Sequence, residues 1–180
     1  MIPNSVTTIG SGVFSDCYSL KSVTISDSVT TISGYIFNAC VSLASITIPD
    51  GVTSIGKYAF ASCASLTNVT MPNSVTTICD YVFNDCSSLR NVIITDSVMT
   101  IGEYVFNGCT SLTSITIPNS MKTIGYGAFD TCISLTEAYF ADPYGWRKDN
   151  ASGEIIPAEQ LINPQTAAEL LKSKISFYKK

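Results

Sequence analysis

Six cysteines recur at a fixed interval of 23 residues, at Cys17, Cys40, Cys63, Cys86, Cys109 and Cys132. A chain that repeats at such a period folds as an array, because one unit cannot bury its own apolar side and stacked units can. Other positions keep the same phase. Phe14, Phe37, Phe60, Phe83, Phe106 and Phe129 stand three residues before the cysteines, and Leu20, Leu43, Leu66, Leu89, Leu112 and Leu135 stand three after. Val6, Val29, Val52, Val75, Val98 and Met121 form a further ladder, as do Ile9, Ile32, Ile55, Ile78, Ile101 and Ile124. Stacked coils place such equivalents at about the inter-strand spacing of ~4.8 Å.

Within each copy, Leu-x-x-Val/Ile-x-Ile alternates, is rich in β-branched residues and runs into Pro-Asn or Pro-Asp punctuation, the signature of a short strand. A second extended piece is Val-Thr-Thr-Ile, as in Val75–Ile78. The intervening Gly-x-Tyr-x-Phe-x-x-Cys is too short for a regular helix and is read as an outer helical turn.

The composite motif Leu-x-x-Ile-x-Ile-Pro-x-Ser-Val-x-x-Ile-Gly-x-x-x-Phe-x-x-Cys resembles the BspA-type leucine-rich repeat, most closely in copies Pro49 to Met71 and Thr95 to Ile117. The resemblance spans about residues 3 to 140. It implies a right-handed leucine-rich repeat solenoid, mainly β, with parallel strands on the concave face and short outer helical turns. It also implies adhesion to matrix proteins such as fibronectin and fibrinogen or to other cells. The location it implies is the surface of a bacterium or mucosal protozoan, or export from it. The division expected is six repeats over 1–140 and a capping segment over 141–180.

After Phe140 the period stops, in the turn-rich exit Ala141-Asp142-Pro143-Tyr144-Gly145-Trp146. Residues 1–140 hold four Lys/Arg and nine Asp/Glu, a net of -5, and 141–180 hold six and five, a net of +1. Asn163-Pro164 is a helix start, with Asn as N-cap and Pro at the first helical position, and the helix is expected over 164–174. Ala167, Leu170 and Leu171 would form its apolar face, and Lys172 and Lys174 would sit in the favourable field of its C-terminal end. A solenoid's last coil exposes an apolar cross-section and open strand edges, and this segment is the expected cover. At the other end, Met1-Ile2-Pro3-Asn4 has neither the basic start nor the apolar stretch of a signal peptide. We expect a fragment of a longer protein, with Met1 added and residues 1–10 forming an open edge.

Composition excludes several functions. The chain has no His, which removes the commonest general base and metal ligand. No nucleotide-binding fingerprint appears, and the repeats hold no insertion long enough to wall a catalytic pocket, so no enzyme and no cofactor are expected. A sequence pI near 4.6 argues against nucleic acid. Mean hydropathy is +0.28, yet no apolar run reaches the ~18 residues of a membrane span.

What remains is surface. Alternation turns Ser22 and Thr24, Ser45 and Thr47, Asn68 and Thr70, Asn91 and Ile93, Ser114 and Thr116, and Glu137 and Tyr139 away from the core. From these, Thr24, Thr47, Thr70, Asn91, Thr116 and Tyr139 are the candidate ligand-contacting residues of a rigid, nearly neutral concave face. A structural spacer array, or a glycan-binding module using Tyr139, Tyr144 and Trp146, are the alternatives. Tyr35, Tyr58, Tyr81 and Tyr104, with Gly12 and Gly127 at the ladder's ends, are read as rings stacked between coils. The in-phase cysteines are read as buried small apolar residues, and the out-of-phase Cys79 as a more exposed thiol. Asp27 and Asp50 are read as turn formers, although adjacent carboxylates would suit a weak cation site. Asn68-Val69-Thr70 and Asn150-Ala151-Ser152 match the glycosylation pattern, the first within a strand.

Overall fold

In the computed structural model, which describes residues 2–150 and 152–180, each repeat contributes one coil carrying two short strands. The array runs β1 (Ser22–Thr24), β2 (Thr31–Ile32), β3 (Ser45–Thr47), β4 (Ser54–Ile55), β5 (Asn68–Thr70), β6 (Thr77–Ile78), β7 (Asn91–Ile93), β8 (Thr100–Ile101), β9 (Ser114–Ile117), β10 (Thr123–Ile124) and β11 (Glu137–Phe140). The remainder is β12 (Trp146–Lys148), α1 (Ala158–Ile162), α2 (Pro164–Lys172) and β13 (Phe177–Lys179). The expected added Met1 and the Asn150-Ala151-Ser152 sequon fall on Met1 and Ala151, outside the described residues.

The odd-numbered strands β1 to β11 stack as one face and the even-numbered strands β2 to β10 as a second. Pairing is parallel and in register at one repeat, so Ser22, Val23 and Thr24 lie opposite Ser45, Ile46 and Thr47. Between the strands the chain reverses at the Pro-Asx punctuation, where Val52 N–H donates to the Pro49 carbonyl at 3.0 Å and Val75 N–H to that of Pro72 at 3.1 Å. This is a right-handed repeat solenoid whose like positions form continuous columns.

Those columns are the core. Phe37, Phe60, Phe83, Phe106 and Phe129 are fully buried, and neighbouring Phe rings stack with centroids 5.2–5.6 Å apart. Burying each ring removes enough apolar surface for about 2–3 kcal/mol. The first coil is less covered: Phe14, Cys17, Leu20 and Val23 are half-buried, and Val13 is exposed where its equivalent Ile36 is buried.

The outer segment is not helical, contrary to the sequence expectation. Asn38 N–H donates to the Tyr35 carbonyl and Cys40 N–H to that of Phe37, both at 3.1 Å, so the chain makes successive three-residue turns. The N–H groups between them reach the next coil, Tyr35 to Lys57, Phe37 to Ala59 and Ala39 to Ala61. Tyr35 and Ala39 adopt φ of 58° and 57°, and two left-handed residues within five positions stop a right-handed helix from propagating.

The tail closes the end of the array. β13 pairs antiparallel with β10, and β12 pairs antiparallel with β13, so the second face continues into the tail as one sheet. α2 packs on β11, covering the end of the first face. Asn163 caps α2 as expected, its side chain accepting from the N–H groups of Gln165 and Thr166 at 3.1 and 3.0 Å. The buried face of α2 is Ala167, Ala168 and Leu171, while Leu170 is only half-buried. Lys172 pairs with Glu169 at 2.6 Å. Lys174 does more than meet a helix end, because it bridges to Asp130 of the last outer turn at 3.1 Å.

Candidate functional site

The strand face is built by the two-residue period. In β3 the central Ile46 points into the core and Ser45 and Thr47 point to solvent. Thr24, Thr47, Thr70, Asn91, Thr116 and Tyr139 are all exposed. They do not form one column. The register places Thr24 opposite Thr47, Thr70 opposite Ile93, and Thr116 opposite Tyr139. Asn91 lies opposite Asn68 in the neighbouring column and donates from Nδ2 to Asn68 Oδ1 at 2.7 Å. The residue that belongs between Thr70 and Thr116 is Ile93, which is 58% exposed. Adding the 23-residue repeat to Thr70 arrives at 93, so the period already held this assignment.

The face therefore carries a hydroxyl column interrupted by one exposed isoleucine and ending in an aromatic ring. Two shallow hollows indent it. One, of about 300 Å³, is lined by residues of β3 and β5 together with Asp50 and Pro72. The other, of about 390 Å³, lies across β5, β7 and β9 and includes Ile93 and Thr116. Glu137 is the one charged side chain among the outward strand positions. It accepts a 2.8 Å hydrogen bond from the Tyr139 hydroxyl, and this bond raises the Tyr139 pKa. Such a face offers hydrogen-bonding hydroxyls and amides, apolar contact at Ile93, and little charge to repel either sign of partner.

The alternative aromatic platform does not survive. Trp146 is buried, stands edge-on to Phe140 at 5.3 Å, and donates from Nε1 to the Asp142 carbonyl at 3.0 Å. Its ring packs the tail onto the last coil and has no free face for a sugar. Tyr139 and Tyr144 are exposed. Asn68 of the in-strand sequon lies in β5, and its amide donates to Thr67 Oγ1 at 2.8 Å.

The seven cysteines are free thiols. Cys40, Cys63, Cys86, Cys109 and Cys132 are buried, and each donates to the carbonyl of the Phe 26 residues earlier, at 3.0–3.3 Å. The ladder thus stitches coil to coil through side chain to backbone bonds, which the sequence reading of inert apolar filling missed. Burial pushes Cys40 up to about 11, Cys63 and Cys132 up to about 12, and Cys86 and Cys109 well above their ordinary value. Cys79 is half-buried, as is Cys17, so it is not uniquely accessible. Burial and the adjacent Asp80 raise its thiol pKa, which opposes thiolate reactivity. Burial works against the Asp80 charge, yet the Lys57 ammonium at 2.7 Å and the Glu103 N–H at 3.0 Å hold its carboxyl below the usual value. Among the described residues no group of three or more Cys, Asp or Glu side chains is placed to hold a metal ion. No helix among them is long and apolar enough to cross a membrane.

Fold and face together define a non-globular repeat scaffold of the leucine-rich class. The family profile described as "BspA type Leucine rich repeat region" matches in 6 copies over residues 1–98 and 76–148, and the chain belongs to that family. A leucine-rich cell surface protein of Faecalibacterium prausnitzii A2-165 is 40% identical with a TM-score of 0.74, over 80% of this chain and 38% of that one. The T. pallidum leucine-rich repeat protein is 32% identical with a TM-score of 0.64, over 66% of this chain and 58% of its own. A leucine-rich repeat protein of Eubacterium ventriosum ATCC 27560 is 28% identical with a TM-score of 0.51, over 72% and 41%. The chain thus spans between 38% and 58% of the length of these structures. No match was found among curated proteins.

Proposed function

We propose that the chain is a non-catalytic binding module of a bacterial cell-surface protein, engaging a host matrix protein or another cell through its strand face. The observation that carries this reading is the exposed column Thr24, Thr47, Thr70, Ile93, Thr116 and Tyr139, in register within each strand pair and uncharged. Repeat arrays use extended surfaces of this kind for partners, and an apolar side chain ringed by hydroxyls is a suitable anchor within a polar rim. The surface location is supported by the similarity to the F. prausnitzii cell surface protein.

The test is binding of the whole chain to immobilised fibronectin and fibrinogen, with a Thr70→Arg/Thr116→Arg variant alongside. Both positions point to solvent, so the fold should persist by circular dichroism. Saturable binding that falls at least ~10-fold in the variant supports adhesion through this face, as expected when bulky charge enters the centre of an interface. Equal binding by variant and parent places the contact elsewhere, and no binding by either removes these two proteins as partners.

A further inference from the structure

Asn107-Gly108 is the single Asn-Gly pair of the chain. Such a pair is self-reactive, because glycine has no side chain to keep its backbone nitrogen away from the neighbouring carboxamide. The glycine nitrogen bonds to the asparagine Cγ, the Cγ–Nδ2 bond breaks, and ammonia leaves with the proton of the attacking N–H. Water then opens the succinimide ring to aspartate or isoaspartate. The fold demands the glycine here all the same. Gly108 is buried at φ 75°, and a Cβ on it would run into the Asp85 carboxylate of the preceding coil.

Every group that must move in this reaction is tied to another coil. Asn107 Nδ2 donates to Asn84 Oδ1 at 2.8 Å, and Asn107 Oδ1 accepts from the Thr131 hydroxyl at 2.9 Å. Gly108 N–H donates to the Asp130 carbonyl at 3.0 Å. The leaving nitrogen is thus held toward the preceding coil, and the carboxamide oxygen and the attacking nitrogen toward the following one. Asn84 is fixed in turn, its own Nδ2 donating to Asp85 Oδ2 at 2.8 Å. Ring closure needs the glycine nitrogen aligned on Cγ at a near-attack distance of about 3–3.5 Å, with its proton free to leave. The Asn107 side chain reaches that geometry only by giving up its bonds to Asn84 and Thr131, and the Gly108 N–H only by leaving Asp130.

We propose that Asn107 is a latent self-modification site, sealed by the coils on either side and unsealed when they part. Deamidation there runs through the locally opened state, so its native rate is that of the free sequence multiplied by the fraction of time the neighbouring coils stand apart. The change is one-way. Isoaspartate inserts a methylene into the backbone between the N–H groups that bond to Tyr104 and Asp130, and either product puts a carboxylate where the donor to Asn84 Oδ1 stood. A turn that has stayed open long enough to react cannot re-form the same bonds, and the outer face of the array keeps the record as a negative charge. The site lies on the outer turns and stands independently of the strand face.

The experiment incubates the whole chain beside a synthetic peptide of Glu103–Ser111 in one mildly alkaline buffer. Aspartate and isoaspartate at Asn107 are followed by peptide mapping and mass spectrometry. The native chain should react at least ~10-fold more slowly than the peptide, a factor that a local opening free energy of about 1.4 kcal/mol produces. Thr131→Ala cuts the tie to Asn107 Oδ1 at a backbone angle that Ala39 adopts in the equivalent place, and should speed the native reaction about fivefold, the worth of one hydrogen bond. Thr131→Ser keeps the hydroxyl, with Ser62 as its equivalent, and should leave the rate unchanged. Asn84→Ala, whose equivalent is Ala61, frees the leaving nitrogen and should act in the same direction as Thr131→Ala. Equal rates in chain and peptide, or alanine variants no faster than Thr131→Ser, would overturn the proposal.

Discussion

The array and the segment after Phe140 bury apolar surface by opposite means. In the array like meets like: Phe83 lies between Phe60 and Phe106 at 5.5 and 5.6 Å, and Cys86 donates to the Phe60 carbonyl in a bond repeated at every full coil. In the tail no residue type recurs in a column, and its ring and ion-pair contacts join different side chains. Trp146 meets Phe140 edge-on, Lys179 Nζ lies 5.8 Å over the Trp146 ring and pairs with Asp142 at 2.6 Å, and Lys174 reaches back to Asp130. A periodic core needs one good cross-section repeated, whereas a cover must match a particular end. The array's stability is therefore spread along its length, and the tail's rests on a few side chains.

Alkaline pH separates the two regions most strongly, because all seven cysteines lie in the array. A thiol whose folded pKa exceeds the ordinary 9.0 binds its proton more tightly in the native state than in the unfolded one. Its contribution is complete below pH 9 and declines as pH rises toward the folded value of about 12. Each such thiol imposes a slope of up to about 1.4 kcal/mol per pH unit. Cys63 and Cys132, both pushed up to about 12, would together impose up to about 3 kcal/mol per unit above pH 9, and Cys86, Cys109 and Cys40 act in the same direction. Urea unfolding from pH 8 to 10.5 should show this fall, and Cys63→Ala/Cys132→Ala should make the slope shallower. Stability that stays flat across the range would show that the ladder thiols are not sealed from solvent in the native state.

Cavity substitutions sharpen the contrast. Phe83→Ala removes a fully buried ring from the middle of a column and should cost about 3–5 kcal/mol. Phe14→Ala, on the half-buried first coil, should cost clearly less, because that site is already partly solvated. Trp146→Ala should cost about as much as Phe83→Ala in calorimetric unfolding, but in a different place. Hydrogen exchange should quicken in β12, β13 and α2 first, with β4 and β6 affected least. Uniform acceleration from β2 to β13 would mean that cover and array unfold as one unit.

The same contrast decides how much of the molecule could be read without coordinates. Strand phase, core columns, tyrosine stack and the Asn163 cap follow from rules that act locally or repeat every 23 residues. The outer turns were misjudged because the left-handed φ of Tyr35 and Ala39 is visible only through Gly12, Gly108 and Gly127, which replace bulkier residues at those rungs. In the candidate site, alternation along each strand gives the outward positions, and the 23-residue period gives the neighbours, pairing Asn68 with Asn91 and Thr70 with Ile93 as the register does. β12, β13 and α1 were missed altogether. Phe177–Lys179 becomes a strand because β10 offers it an open edge, a tertiary cause with no local pattern to announce it.

The smallest of the expected effects bears on whether the tail has stability of its own. Asn163→Ala deletes the side chain that accepts from the N–H groups of Gln165 and Thr166, a cap worth about 1 kcal/mol. The cap is solvent-exposed, so the loss leaves no cavity and does not disturb Ala167, Ala168 or Leu171 against β11. Asn163→Asp should keep most of the bond and lose little, which distinguishes capping from any other effect of the substitution. If the tail opens independently, amide exchange in α2 should rise about fivefold in the alanine variant while the β6 and β8 amides stay unchanged, the factor that about 1 kcal/mol implies. If β6 and β8 accelerate by the same factor, the cover is the last coil of a single cooperative stack.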